Sequence, residues 1–121
     1  MFPFRERGLR LSIGEARTRT GGERPEAVLL DVREEAEWRT GHAPGAVHAP
    51  LTALAAGTVL PAPARERPLV VICRSGHRSR RAVRLLAERG ADVVDVRGGM
   101  IAWAALGLPV IDELGDGGSI A

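Results

Sequence analysis

The chain has 121 residues, of which 45% are hydrophobic and 26% are charged, and its formal net charge is +2. These proportions are typical of one globular domain that buries its own core. No apolar run approaches the roughly 20 residues of a membrane-spanning helix. The weak net charge, with two Phe, two Trp and no Tyr, gives no indication of a nucleic-acid-binding surface. We therefore expect neither a membrane nor a nucleic acid as a partner.

Neither end of the chain could bury much apolar surface in a packed core. We expect residues 1–8 to form a flexible lead-in and residues 112–121 a flexible tail, with one folded domain at 9–111 between them. The first residues lack the apolar segment of a secretion signal. The chain also contains a single cysteine, which fits a reducing compartment. A cytoplasmic location is therefore expected.

Strand-like and helix-like segments alternate along the domain. Short β-branched or apolar runs predict strands at 9–11, 27–31, 46–48, 69–72 and 92–96. Apolar residues at helical spacing, or short polar segments after a strand, predict helices at 14–19, 34–40, 51–56, 79–89 and 100–106. This alternation predicts an α/β fold in which a parallel sheet carries helices on both faces.

The single cysteine, Cys73, lies where the strand at 69–72 gives way to the helix that begins near Ser79. A thiol in this position faces the unpaired N–H groups and the positive end of the helix, which stabilise a thiolate. The carboxyl end of a parallel strand is also where ligand sites form. We therefore predict a nucleophile rather than a packing residue. Because no second cysteine is present, an outside molecule must discharge any adduct.

The loop after Cys73 offers many hydrogen-bond donors. Its N–H groups can point at the sulfur and form a cradle for an anion, provided that Gly76 lets the backbone curl. The side chains of Arg78 and Arg74 can add guanidinium groups, and two serines can add hydroxyls. His77 need not act as a base, and we expect it to face solvent. The predicted substrate-binding residues are Arg74, Ser75, Gly76, His77, Arg78 and Ser79.

Other polar residues have simpler interpretations. His42, beside a Pro-Gly turn, is expected to bond the backbone, and His48 to lie in a strand or at the surface. A structural zinc needs four ligands, so two or three histidines with one cysteine predict no metal site. Asp31 ends a predicted strand and is expected to support the site rather than act as an acid. The Gly98-Gly99 pair predicts only a tight turn.

Three separated blocks resemble the signatures of single-domain rhodaneses, in the order found in that family. The first lies between Leu29 and Ala46 and contains the segments LLDVRE, EW and GHAPGA. The second is the loop Cys73–Ser79, and the third contains VDV, GG, a tryptophan and GLP between Val94 and Pro109. The likeness extends from 27 to about 110. Ala43 stands where the family more often has isoleucine or valine, which is a packing change.

The resemblance implies a central five-stranded parallel sheet with helices on both faces. It also implies a sulfurtransferase that takes a sulfane sulfur from thiosulfate or a persulfide, carries it as a Cys73 persulfide and passes it to cyanide, a thiol or a protein. Residues 74–79 would surround the persulfide, and Asp31 and Arg33 would support the site. This chemistry needs neither a metal nor an organic cofactor.

Three alternatives remain open at this stage. The domain could be a carrier that moves sulfur between proteins with little small-molecule turnover, or a redox sensor that forms a sulfenic acid. It could also be a phosphatase, because the cell-cycle dual-specificity phosphatases share the fold. Their loop has one residue more between cysteine and arginine than the four that separate Cys73 from Arg78. The shorter loop favours a sulfur-sized adduct over a phosphoryl group.

Overall fold

A computed structural model of the chain describes residues 10–121. It contains the helices α1 (Ile13–Thr20), α2 (Glu35–Thr40), α3 (Leu51–Ala55), α4 (Arg78–Glu88) and α5 (Gly99–Ala105) and a 3-10 turn at Ala62–Ala64. Its strands are β1 (Val28–Asp31), β2 (Val47–His48), β3 (Leu69–Ile72) and β4 (Val93–Asp95). The predicted lead-in at 1–8 lies outside the described residues. No helix in the described part has the length and apolar character needed to cross a bilayer.

The strands form one parallel sheet in the order β2-β1-β3-β4. This confirms the predicted α/β class, but the prediction of five strands is wrong by one for the described residues. Of the strand predicted at 9–11, residue 9 lies outside the described residues, and residues 10–11 contain one parallel bridge, from Leu11 to Val96. The next residue, Ser12, caps α1 through a bond between its Oγ and the N–H of Glu15. The helix therefore begins directly after this bridge and its cap.

Side chains alternate between the two faces of the sheet and build a core on each. Leu29, Val70 and Val94 pack with Met100 and Trp103 of α5 on one face. The other face is formed by the alternate residues of the strands, which pack against α3 and α4. Because the side-chain period of a strand is two residues, Cys73 continues the series of Leu69 and Val71 onto the α4 face. The sheet thereby delivers the thiol to the amino end of α4.

The segment predicted as a tail returns to the domain. The N–H of Ser119 donates to the carbonyl of Thr40, and Ile120 packs against the α5 side of the core. The backbone of Ile111 also exchanges two hydrogen bonds with that of His42. The flexibility of residues 112–121 stays a prediction, but these contacts place the segment against the body of the domain.

Candidate active site

Two backbone amides of the loop point at the sulfur of Cys73. The N–H of Gly76 donates to Sγ over 3.1 Å, and the N–H of Ser79, in the first turn of α4, donates over 3.3 Å. The cysteine is 1% exposed and also contacts the apolar core. The sulfur therefore lies between two main-chain donors at the amino end of α4, where the amides and the helix dipole stabilise negative charge on it.

The curl of the loop depends on Gly76. Its φ of +102° lies in a region that residues with a Cβ rarely adopt. The carbonyl of Gly76 accepts a hydrogen bond of 2.8 Å from Nη2 of Arg10, and the same guanidinium pairs with Asp95 at the end of β4. Arg10 thus anchors the peptide group that follows Gly76, while the N–H of Gly76 faces the sulfur.

The start of α5 holds the other end of the loop. The N–H of Met100 donates to the carbonyl of Cys73 over 2.7 Å, and the N–H of Ile101 donates to that of Arg74 over 3.0 Å. Gly99 has a φ of +56°, and a Cβ placed on it would lie 2.6 Å from the carbonyl carbon of Arg74 and closer still to the carbonyl oxygen of Cys73. The Gly98-Gly99 pair therefore does more than turn the chain, since it lets α5 approach the loop backbone.

We expect Gly99→Ala to displace the loop and to destabilise the domain by roughly 2–4 kcal/mol, because backbone strain adds to a collision with backbone atoms that cannot rotate away. Gly107→Ala is the matched control, since its φ is +74° but nothing lies within 4 Å of a Cβ there. It should cost only about 1 kcal/mol. Urea unfolding measures both, and equal losses would show that the close approach is unimportant.

Arg78 forms a two-pronged ion pair with Glu37 of α2. The distances are 2.6 Å between Nη1 and Oε1 and 2.7 Å between Nη2 and Oε2, and both side chains are partly exposed. The hydrogen bonds from Arg78 lower the pKa of Glu37 below its usual value of 4.5, and the same pair raises the pKa of Arg78. Both groups are therefore charged at neutral pH, and the predicted anion-binding guanidinium faces a carboxylate.

The remaining polar side chains of the loop form hydrogen bonds with groups other than the sulfur. The hydroxyl of Ser79 donates to Oδ2 of Asp95 over 3.0 Å. Ser75 and His77 bond each other at the exposed rim, with 3.1 Å between Oγ and Nδ1. The Nε of Arg74 donates to the carbonyl of Ala121. In this arrangement the sulfur is cradled by main-chain amides, and the side-chain hydroxyls predicted as donors are bonded elsewhere.

Asp31 and Arg33 form a fully buried ion pair at the carboxyl end of β1. Both side chains are 0% exposed, and Nη2 of Arg33 lies 2.8 Å from Oδ2 of Asp31. The same Nη2 donates to the carbonyl of Gly41 over 2.7 Å. Within residues 10–121, neither side chain hydrogen-bonds to the loop after Cys73. The pair therefore organises the backbone beside the site, and its predicted supporting role stays a prediction.

The two histidines beside the first block stack on Trp38. The ring centroids of Trp38 and His42 are 3.5 Å apart, and those of Trp38 and His48 are 4.7 Å apart. Nδ1 of His42 bonds the carbonyl of Trp38, and Nε2 of His48 bonds that of Arg33. These contacts match the structural role expected for His42. In the described part of the chain, no group of three or more His, Cys, Asp or Glu is placed to hold a metal ion.

Sequence reasoning did not single out three residues that shape the site: Arg10, Glu37 and Asp95. Asp95 had an available signal, because a carboxylate at the end of a parallel strand next to β3 must lie near the strand-end cysteine. Glu37 had none beyond its place in the first block, since its partner Arg78 is 41 positions away. The tertiary arrangement alone reveals that contact.

An open cleft of about 1140 Å³ lies near the amino ends of the strands, at the end of the sheet opposite to Cys73. It is lined by parts of the segments 57–60, 64–69 and 86–92, which include the amino end of β3. The nucleophile and its amides lie at the carboxyl end of the same strand. The cleft is therefore separate from the candidate active site.

Comparison with known proteins agrees with this geometry. The rhodanese-like domain family matches residues 14–106. A sulfurtransferase from Allochromatium vinosum is 36% identical over 88 residues, which are 71% of this chain and 79% of that protein. An HTH-type transcriptional regulator from Mycobacterium tuberculosis is 36% identical over 87 residues, which are 70% of this chain but 38% of the regulator.

The crystal structure of a rhodanese-related protein from Thermoplasma volcanium superposes with a TM-score of 0.73 at 30% identity. The match covers 86% of this chain and 98% of that one. The family match spans most of the chain and includes Cys73 and its loop. The chain therefore belongs to the rhodanese-like domain family.

Proposed function

We propose that this protein is a sulfurtransferase that carries a sulfane sulfur as a persulfide on Cys73. The observation that carries the proposal is the pair of amides, from Gly76 and Ser79, that donate to Sγ. An anionic outer sulfur bonded to Sγ would lie beside the same loop, where preorganised N–H groups stabilise charge without having to reorient. Membership of the family, and the relative named as a sulfurtransferase, support the assignment.

The cycle has two half-reactions. The Cys73 thiolate attacks the outer sulfur of thiosulfate or of a persulfide. An S–S bond forms at Cys73, the donor S–S bond breaks, and sulfite or a thiolate leaves with the bonding electron pair. A nucleophilic acceptor, which can be cyanide, a small thiol or a protein cysteine, then takes the outer sulfur and restores the thiolate. The donor supplies the sulfur already at the required oxidation level, so no external oxidant enters.

Intact-mass analysis tests the proposal directly. The protein is reduced, freed of small molecules and incubated with thiosulfate or with cysteine persulfide. We expect a gain of one sulfur atom that cyanide removes, because the covalent intermediate must precede transfer. The absence of that gain with both donors would overturn the assignment.

The carrier alternative uses the same intermediate and differs in the acceptor. It is favoured by the Glu37 carboxylate, which neutralises Arg78 at the mouth of the site and so weakens the attraction for small anions. Rapid loading with slow discharge to cyanide, and fast discharge to a protein thiol, would identify a carrier.

A lone thiol also functions best where glutathione keeps it reduced, so we place the reaction in the cytoplasm.

A further inference from the structure

The carboxylate of Glu37 stands between Arg78 and any incoming anion. Its two oxygens occupy both terminal nitrogens of the guanidinium at 2.6 and 2.7 Å, which is the geometry that an oxyanion would need for itself. A sulfonate or sulfate group that approached Arg78 would have to displace this carboxylate. It would then lie beside a negative charge that has lost its partner.

The other positive charges around the loop do not replace Arg78. Among residues 10–121, Arg10 pairs with Asp95, and Arg33 pairs with Asp31 in a site with no exposure. Arg74 is exposed and bonds a backbone carbonyl, so solvent screens its charge. Several arginines therefore lie near the sulfur, but a carboxylate in direct contact or the surrounding solvent offsets the charge of each.

The Glu37 side chain is also held in place from its own helix. Its Oε1 accepts a hydrogen bond of 3.1 Å from the N–H of Glu34, the N-cap residue of α2. Glu34 in turn accepts a bond of 2.6 Å from the hydroxyl of Thr52. The carboxylate is thus fixed at its position and does not follow Arg78 if the arginine turns toward a ligand.

We infer that Glu37 is a specificity-determining residue that makes Arg78 unavailable to oxyanions and so selects against thiosulfate in favour of persulfide donors. Thiosulfate places a sulfonate next to the sulfur under attack, whereas an alkyl persulfide places a carbon chain there. The negative charge of Glu37 therefore opposes the dianionic first donor more strongly than the second, which carries less negative charge and no oxyanion group beside the reacting sulfur. This inference rests on the proposed function, since it names the donor class of the same site.

Glu37→Gln is the test variant, because the amide keeps an acceptor oxygen for the N–H of Glu34 while it removes the charge and the acceptor that faces Nη2 of Arg78. Glu35→Gln is the matched control. It makes the same charge change on the same helix, at an exposed residue that pairs with Arg39 and lies outside the site. Both variants and the wild type are assayed with thiosulfate and with cysteine persulfide, and are titrated with inorganic sulfate while the Gly76 and Ser79 amides are followed by NMR.

In Glu37→Gln we expect sulfate affinity and kcat/KM for thiosulfate to rise about tenfold, the effect of removing one charge near a dianion in a partly hydrated site. The gain should appear mainly in KM, because binding of the anion changes and the chemistry does not. The rate with cysteine persulfide should stay within about twofold. Glu35→Gln should match the wild type in every measurement.

No gain in Glu37→Gln, or an equal gain in Glu35→Gln, would overturn the role of Glu37. A wild type that prefers thiosulfate to cysteine persulfide would overturn the donor assignment. If neither donor loads Cys73, the proposed function fails. The sulfate titration requires no turnover and then still decides whether Glu37 blocks Arg78.

Discussion

Cys73→Ser is expected to abolish sulfur transfer and to leave the domain folded. A hydroxyl can accept the bonds from the Gly76 and Ser79 amides in place of the sulfur, so the loop keeps its form. It cannot carry a sulfane sulfur. We therefore expect kcat/KM to fall by at least about a thousandfold, as when a covalent nucleophile is removed. Intact mass should show no added sulfur with either donor.

Cys73→Ala is the companion variant, because it removes both the nucleophile and the acceptor of the two amides. It should be as inactive as Cys73→Ser but less stable, by about 1–3 kcal/mol, since the amides lose their partner in a buried place. Urea unfolding separates the two variants. Transfer at more than a few per cent of the wild-type rate in either one would show that the thiol is not the nucleophile.

Asp31→Asn should cause the largest loss of stability of the changes considered, about 3–5 kcal/mol, because it leaves the guanidinium of Arg33 buried without its counter-ion. Both side chains of the pair are fully buried. The control is again Glu35→Gln, where the same chemical change breaks an exposed ion pair and should cost under about 0.5 kcal/mol.

Urea unfolding of both variants measures this difference. A second variant, Asp31→Leu combined with Arg33→Met, shows whether the loss comes from the unpaired charge. Apolar residues of similar size should recover part of the stability, because neither charge then has to be desolvated, although the carbonyl of Gly41 loses its donor. A loss below about 1 kcal/mol in Asp31→Asn would contradict the assignment of a buried, desolvated pair.

The strands and most helix boundaries could be predicted from the sequence within one or two residues. The β-branched run at 69–72 and the glycine after α4 act through neighbouring residues, so short segments carry the information. Of the strand predicted at 9–11, the described residues keep a single bridge, from Leu11 to Val96, before the cap of α1 at Ser12. A run of three residues is too short for its pattern to distinguish a strand from a single bridge.

The sequence by itself determined that a single thiol lies at the end of a buried strand, before a donor-rich loop and a helix. These features follow from residue order and from the geometry of parallel α/β units. Only the tertiary structure decided how the loop's groups are used. It directs the amides of Gly76 and Ser79 inward, and it pairs Arg78 with Glu37 across 41 positions. Such a pair depends on how α2 and α4 pack on the sheet, which periodicity and residue type do not encode.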